Sequence, residues 1–160
     1  MDPQAKKHAL RQITYGLYVL TAAHEGEVAA GTVNWLSQAS FEPPLVMVGI
    51  KRDSRLHDLI EKSGHFAVNI LASGQKDIAA AFFRPTQVEG DRINGFPFEP
   101  GPTTGAPLLL DAPAWFEARV VDAVKRGDHT VFIAEVVDAG VRDPNARPLV
   151  MWETGWFYGG

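Results

Sequence analysis

Three short stretches hold most of the residues in this sequence that could bind or react. The first is Thr32-Val33-Asn34-Trp35-Leu36-Ser37-Gln38-Ala39-Ser40. It threads hydroxyl and carboxamide groups through a run otherwise suited to a strand, and with backbone amides such a set orients a flat, heteroatom-rich ligand in an apolar pocket. The same groups would serve equally to cap a strand and a turn ahead of Pro43-Pro44. The second stretch is Lys51-Arg52-Asp53-Ser54-Arg55, between an apolar run and a helical pattern. Basic side chains and a capping serine beside the unpaired amides of a helix N-terminus make a phosphate cradle, or a solvated turn. The third is Arg126-Gly127-Asp128-His129-Thr130. An imidazole at a strand start after a tight turn can point into a cleft and donate or titrate near neutrality, or it can lie idle on the surface.

Other chemistries are excluded or unsupported. The chain has no cysteine, which removes thiolate catalysis, disulfides and cysteine-based metal sites. None of the five histidines forms an i, i+4 pair, so no metal ligand set is expected. GxGxxG, Walker, HExxH and GxSxG patterns are absent. Fifteen Lys and Arg against nineteen Asp and Glu leave a net charge of -4, which gives no electrostatic case for nucleic acid or an anionic membrane as partner. No apolar run approaches the roughly 18 residues of a membrane helix. The basic-then-apolar N-terminal stretch is broken by Thr14, Tyr15 and Gly16 and is not read as a signal peptide. The absence of cysteine fits a cytoplasmic location.

Strands must position the three stretches. Leu17 to Ala23 and Ala29 to Leu36 flank the polar turn His24-Glu25-Gly26-Glu27 and predict a hairpin. Residues 45–50, 65–71, 114–124 and 130–141 predict further strands, the last two joined by a turn at Gly127-Asp128. Helices are expected at 3–13, with Ala9, Leu10 and Ile13 on one face, at 55–63 ending at Gly64, and at 74–83 with Ile78 and Phe82 one turn apart. About thirty residues from 84 carry six prolines and four glycines, so an irregular excursion is expected there, serving as a dimer arm or a lid. PLVMW and GWFYG close the chain. Seven or so strands with a few short helices indicate a mainly β, antiparallel barrel or sandwich, in a single domain over residues 1–160.

In order along the chain, TVNWLSQAS, EPPLVMVGI, KRDS, SGHFAVNIL and GDHTVFIAEV resemble the pattern of the flavin reductase-like family of FMN-binding split barrels. The match runs from about Gly16 to Tyr158. Trp35 stands where many relatives carry a small polar residue, and Gln38 and Ala134 stand where they carry a serine and a glycine.

The resemblance implies a Greek-key split β-barrel and a homodimer with flavin near the subunit interface. FMN is the expected flavin, with FAD possible, and NAD(P)H is the expected transient co-substrate. Residues Thr32, Val33, Asn34, Trp35, Leu36, Ser37, Gln38, Ala39 and Ser40 would hold the isoalloxazine rim and ribityl chain. Lys51, Arg52 and Ser54 would meet the phosphate, and His129 would lie near the reacting rings. The implied activity is hydride transfer from NAD(P)H to flavin, with electrons passed to free flavin, a monooxygenase partner or oxygen. The alternative is a non-catalytic flavin carrier reduced by a protein donor.

Overall fold

The computed structural model describes residues 1–160. After helix α1 (Pro3–Arg11), strands β1 (Tyr18–His24) and β2 (Glu27–Val33) pair along their full length, with His24 opposite Glu27. Only Glu25 and Gly26 remain for the turn, both at positive φ (50° and 81°), the backbone that matches the twist of a two-residue hairpin. Glycine suits such a position because it lacks a Cβ.

The expected strand from Ala29 to Leu36 is divided. β2 stops at Val33, Asn34 and Trp35 lie outside any strand, and β3 begins at Leu36 and runs to Ser40. β4 (Leu45–Lys51), β5 (His65–Ile70), β10 (Ala114–Lys125) and β11 (His129–Val141) complete one antiparallel sheet in the order β2-β1-β5-β10-β11-β4-β3. Its two edge strands are therefore consecutive in the chain. Six inter-strand spacings of about 4.8 Å would hold the edges of a flat sheet about 29 Å apart. Three backbone steps from Val33 to Leu36 span at most about 11 Å. The sheet must roll until β2 and β3 approach, and no ladder joins them. The result is a barrel split at Asn34-Trp35.

The rolled sheet packs Leu20, Val46, Val48, Phe66, Val68 and Phe132 against Leu56, Leu59 and Ile60 of helix α2 (Arg55–Ser63). Along β4 the apolar run alternates: Val46, Val48 and Ile50 are buried while Met47 is 42% exposed. A second core lies behind β1, where Leu17, Val19 and Leu71 meet Ile78 and Phe82 at helix α3 (Lys76–Ala81). With a core on each face, Val19 to Ala22 are all buried.

The proline- and glycine-rich excursion is more ordered than its composition suggests. It forms a small sheet of β6 (Val88–Glu89), β7 (Arg92–Ile93), β8 (Phe96–Pro100) and β9 (Pro107–Leu109). Buried polar groups dock it on the barrel. Thr21 Oγ1 donates to the Pro107 carbonyl (2.6 Å), and Asn69 Oδ1 accepts from the Leu109 amide (2.8 Å). The carboxylate of Glu117, wholly buried, accepts from the amides of Thr103 (3.1 Å) and Thr104 (2.8 Å) and from the Thr104 hydroxyl (2.6 Å). Each buried oxygen is thereby paired, the condition for burying a carboxylate without large cost.

Helix α1 buries none of its residues, and the expected face is open: Leu10 is 44% and Ile13 50% exposed. The closing residues form a 3-10 turn (Met151–Thr154) followed by a segment with no regular structure, not a strand. No helix is long and apolar enough to cross a membrane.

Candidate functional site

A cleft of about 750 Å³ opens where the barrel is split, between β2, the end of β4, the start of α2, the residues after α3 and the closing segment. Its wall is largely apolar. Of the 32–40 stretch, Thr32, Val33 and Asn34 line it. Thr32 is engaged locally, its hydroxyl donating to the Ala79 carbonyl (2.7 Å). Asn34 is buried and its amide nitrogen donates to Met151 Sδ (2.9 Å), a weak acceptor that leaves the carboxamide under-engaged by the protein.

The rest of the stretch diverges. Leu36 packs on the barrel core. Ser37, Gln38 and Ala39 are exposed along edge strand β3, and Ser40 is half-buried at its end. None of these five residues lines the cleft. A bulge between Gln38 and Ser40 interrupts the pairing with β4, so strict alternation does not hold there.

Lys51 and Ser54 line the cleft, joined by Arg55 and Arg84. Ser54 caps α2: its hydroxyl accepts from the His57 amide (3.1 Å) and donates to the Lys51 carbonyl (2.8 Å). The amides of Arg55 and Leu56, in the helix's first turn, have no intrahelical acceptor and are available to an anion. Arg52 is turned away, with Nη1 donating to the Gly127 carbonyl (3.2 Å) and its amide to the Asp128 carbonyl (2.9 Å).

His129 pairs directly with Lys51 in the β4–β11 ladder. Its Nδ1 donates to Asp128 Oδ1 (2.8 Å), and its Nε2 lies 2.5 Å from the Tyr158 hydroxyl. With Nδ1 protonated, the neutral ring presents Nε2 as acceptor to the phenol. The hydrogen bond to His129 holds the Asp128 carboxyl below its ordinary range. Burial pushes the Tyr158 phenol up, reinforced by the charges of Asp128 and Asp53. Trp35 packs against both rings, 4.5 Å from His129 and 5.1 Å from Tyr158. Its indole N–H is buried and has no hydrogen-bond partner.

Sequence reasoning placed Arg55 in the basic stretch but not among the residues meeting the phosphate, and it passed over Arg84 and over Trp156, Phe157 and Tyr158, which form one wall of the cleft. Arg84 stands inside FFRPT, a basic residue directly after two aromatics, a signal available from the sequence. Tyr158 offered none, because its meeting with His129 depends on how the chain closes.

No group of three or more His, Asp or Glu side chains is arranged to hold a metal ion. The cleft therefore offers a largely apolar wall, the under-engaged carboxamide of Asn34 and the cationic side chains of Lys51, Arg55 and Arg84, with Trp35 and His129 behind Tyr158.

A curated NADH-dependent flavin reductase, StyB of Pseudomonas fluorescens, is 36% identical over 154 residues, covering 95% of this chain and 87% of that protein. An NADH:riboflavin 5'-phosphate oxidoreductase of Streptomyces pristinaespiralis is 32% identical over 153 residues, covering 95% and 85%. The solved styrene monooxygenase flavin reductase of Pseudomonas putida S12 superposes with a TM-score of 0.75 at 34% identity, covering 93% of this chain and 91% of that one. The family model for the flavin reductase like domain matches residues 10–159, and the chain belongs to that family.

Proposed function

We propose that the protein is an NAD(P)H:flavin oxidoreductase that takes FMN as its preferred flavin and hands the electrons on to free flavin, a monooxygenase partner or oxygen. The observation that carries this reading is the apolar cleft with Lys51, Arg55 and Arg84 on its lining, and with the buried, unpartnered Trp35 indole N–H and His129 just behind Tyr158 of its wall. A flavin suits these residues: a flat ring with carbonyl acceptors fits the cleft, and a phosphate fits the cationic side. When bound, the flavin supplies the redox chemistry, accepting the hydride of the reduced nicotinamide.

The chain's own residues bind and orient. Lys51, Ser54 and the first-turn amides of α2 hold the phosphate. The backbone and side chains of Thr32, Val33 and Asn34 line the long edge of the ring, and Trp35 meets it with its N–H. Leu36 to Ser40 reach the ligand only through movement of β3 or from the other subunit of a dimer. His129 sets the position of the nicotinamide, with Asp128 fixing the imidazole tautomer. The apolar walls exclude water from the reacting rings.

FMN is favoured because Lys51 and Arg55, which face Asp53 (3.6 Å) and Glu27 (3.2 Å) across exposed ion pairs, can both turn to a single terminal phosphate, and because one relative's name specifies riboflavin 5'-phosphate. A homodimer accords with edge strand β3 lying open beside Phe41, which is 96% exposed, with Met47 and Val131 also outward. Light scattering that gave a monomer mass would remove the dimer. A cytoplasmic location accords with dependence on reduced nicotinamide.

The decisive experiment is a visible spectrum of FMN-saturated, desalted protein, repeated anaerobically with NADH and then NADPH, alongside an equilibrium FMN titration. Bleaching of bound flavin by either nucleotide is expected. Binding without bleaching would turn the reading to a flavin carrier, and failure to bind either flavin at micromolar concentration would remove it.

A further inference from the structure

Residues 155–160 fold back over the centre of the site. The Tyr158 hydroxyl takes up His129 Nε2, and its ring stands edge-on to Trp35. Gly159, at φ 101°, lies so close to the indole that a Cβ there would sit 3.0 Å from Trp35 Cζ2 and 4.0 Å from Nε1. The segment thus covers the two polar ring atoms that face the seam. It satisfies one of them, His129 Nε2, and leaves the other, Trp35 Nε1, buried and unpaired.

Trp156 anchors the segment, edge-on to Phe83 and under the Lys76 ammonium, and the residues beyond it have room behind them. Arg11 of α1 latches them, with Nε donating to the Gly159 carbonyl (3.3 Å) and the guanidinium 4.8 Å above the Phe157 ring. Phe157 is 61% and Tyr158 44% exposed, so lifting them uncovers little new apolar surface. A second hollow of about 440 Å³ lies between the segment and residues 11–15, sharing Met151, Trp156, Phe157 and Tyr158 with the main cleft. Those four residues are a partition between two cavities.

We infer that residues 157–160 are a displaceable occupant of the ring subsite, in which Tyr158 stands where a flat, amide-bearing heterocycle stacks beside Trp35 and His129. Both a flavin and a nicotinamide ring carry the paired donor and acceptor that Trp35 N–H and His129 Nε2 demand. Either must move Tyr158 to reach them. The inference rests on the flavin reductase reading and adds to it a competitor built into the chain. A ligand that binds only the open form has its apparent affinity reduced by the open fraction, about tenfold if a tenth of the molecules are open.

The test is equilibrium titration of the protein with FMN, and of the FMN-loaded protein with NAD⁺, which binds without reacting. Wild type is compared with Tyr158→Ala, Tyr158→Phe and Arg11→Ala. Tyr158→Ala is expected to tighten one ligand several-fold, and Arg11→Ala, which frees the latch without touching the subsite, to tighten the same ligand less. Tyr158→Phe keeps the ring and loses the bond to His129, and is expected between wild type and Ala. Tightening for FMN assigns the subsite to the flavin ring, and tightening for NAD⁺ to the nicotinamide. If wild type binds FMN and Tyr158→Ala binds both ligands no more tightly, the occupant is overturned and the reductase reading stands. A wild type that binds no flavin overturns both.

Discussion

Lys51 and His129 face one another across the β4–β11 ladder, so the cation at the cleft and the imidazole under Tyr158 project from the same end of the same pair of strands. Neither residue is near the other in sequence. The pairing fixes the separation between the Lys51 and His129 backbones through ladder hydrogen bonds.

Lys51→Ala is expected to weaken FMN binding about tenfold, the worth of one partly screened charge-assisted contact. Riboflavin, which has no phosphate, should lose almost nothing. Arg52→Ala, which cuts the bond to the Gly127 carbonyl, should cost about 0.5–1.5 kcal/mol of stability and little FMN affinity. Flavin fluorescence titration and urea unfolding read the two effects. A larger affinity loss for Arg52→Ala than for Lys51→Ala would reverse the phosphate assignment.

His129→Ala should depress hydride transfer about a hundredfold, the usual scale for a positioned catalytic group, while FMN affinity changes by less than about threefold. Anaerobic stopped-flow reduction of the bound flavin separates the two quantities. Unchanged reduction would leave His129 as a turn residue.

Trp35→Phe keeps an aromatic ring and deletes the buried N–H. The loss of packing against Gly49 and His129 is offset by removal of an unsatisfied donor, so ligand-free stability should stay within about 1 kcal/mol of wild type. Binding of the ring ligand should weaken. Calorimetric unfolding and titration on the same sample check this, and intact binding with a large stability loss would make Trp35 a core residue only.

His57 predicts acid sensitivity. It is 3% exposed, with Nε2 2.6 Å from Thr130 Oγ1. Its Nδ1 lies 3.2 Å from Glu61 Oε1, but off the direction needed for a hydrogen bond. Burial holds its pKa below the ordinary 6.5; Glu61 and Asp58 oppose this, while Lys125 and Arg52 reinforce it. As pH falls through 6.5 the unfolded chain takes a proton that the folded chain refuses, so stability is lost from there down to the folded pKa. Glu61, held low by its bond to Lys125, adds a loss of the same sign below 4.5. The urea midpoint should fall as pH drops from about 7 to about 5, and His57→Gln should flatten that fall. A constant wild-type midpoint would contradict it.

Much of the frame was legible because it rests on local rules. The apolar spacing of Leu56, Leu59 and Ile60 and the stop at Gly64 define α2 at its observed bounds, and the Glu25-Gly26 turn defines the first hairpin. The split between Val33 and Leu36 was not legible, since Asn34 and Trp35 continue a strand-like pattern and only the closure of seven strands breaks it. The strands of the excursion were hidden for another reason: two to five residues between glycines and prolines carry no period. Thr32, Asn34, Lys51 and Ser54 line one cleft, whereas Ser37 to Ala39 lie exposed along an edge strand. Tyr158 reaches His129 across 29 positions through a segment with no regular structure, which no local pattern records.

The split at Asn34-Trp35 also sets what it costs to admit a ligand. In a closed barrel, a guest entering between strands would have to tear a ladder of backbone hydrogen bonds. Here β2 and β3 share none, so the cleft beside β2 is open to a guest while every existing strand pairing stays intact. The barrel can therefore breathe along one line only, and amides beside that line should exchange with solvent long before those of β1, β5 and β10.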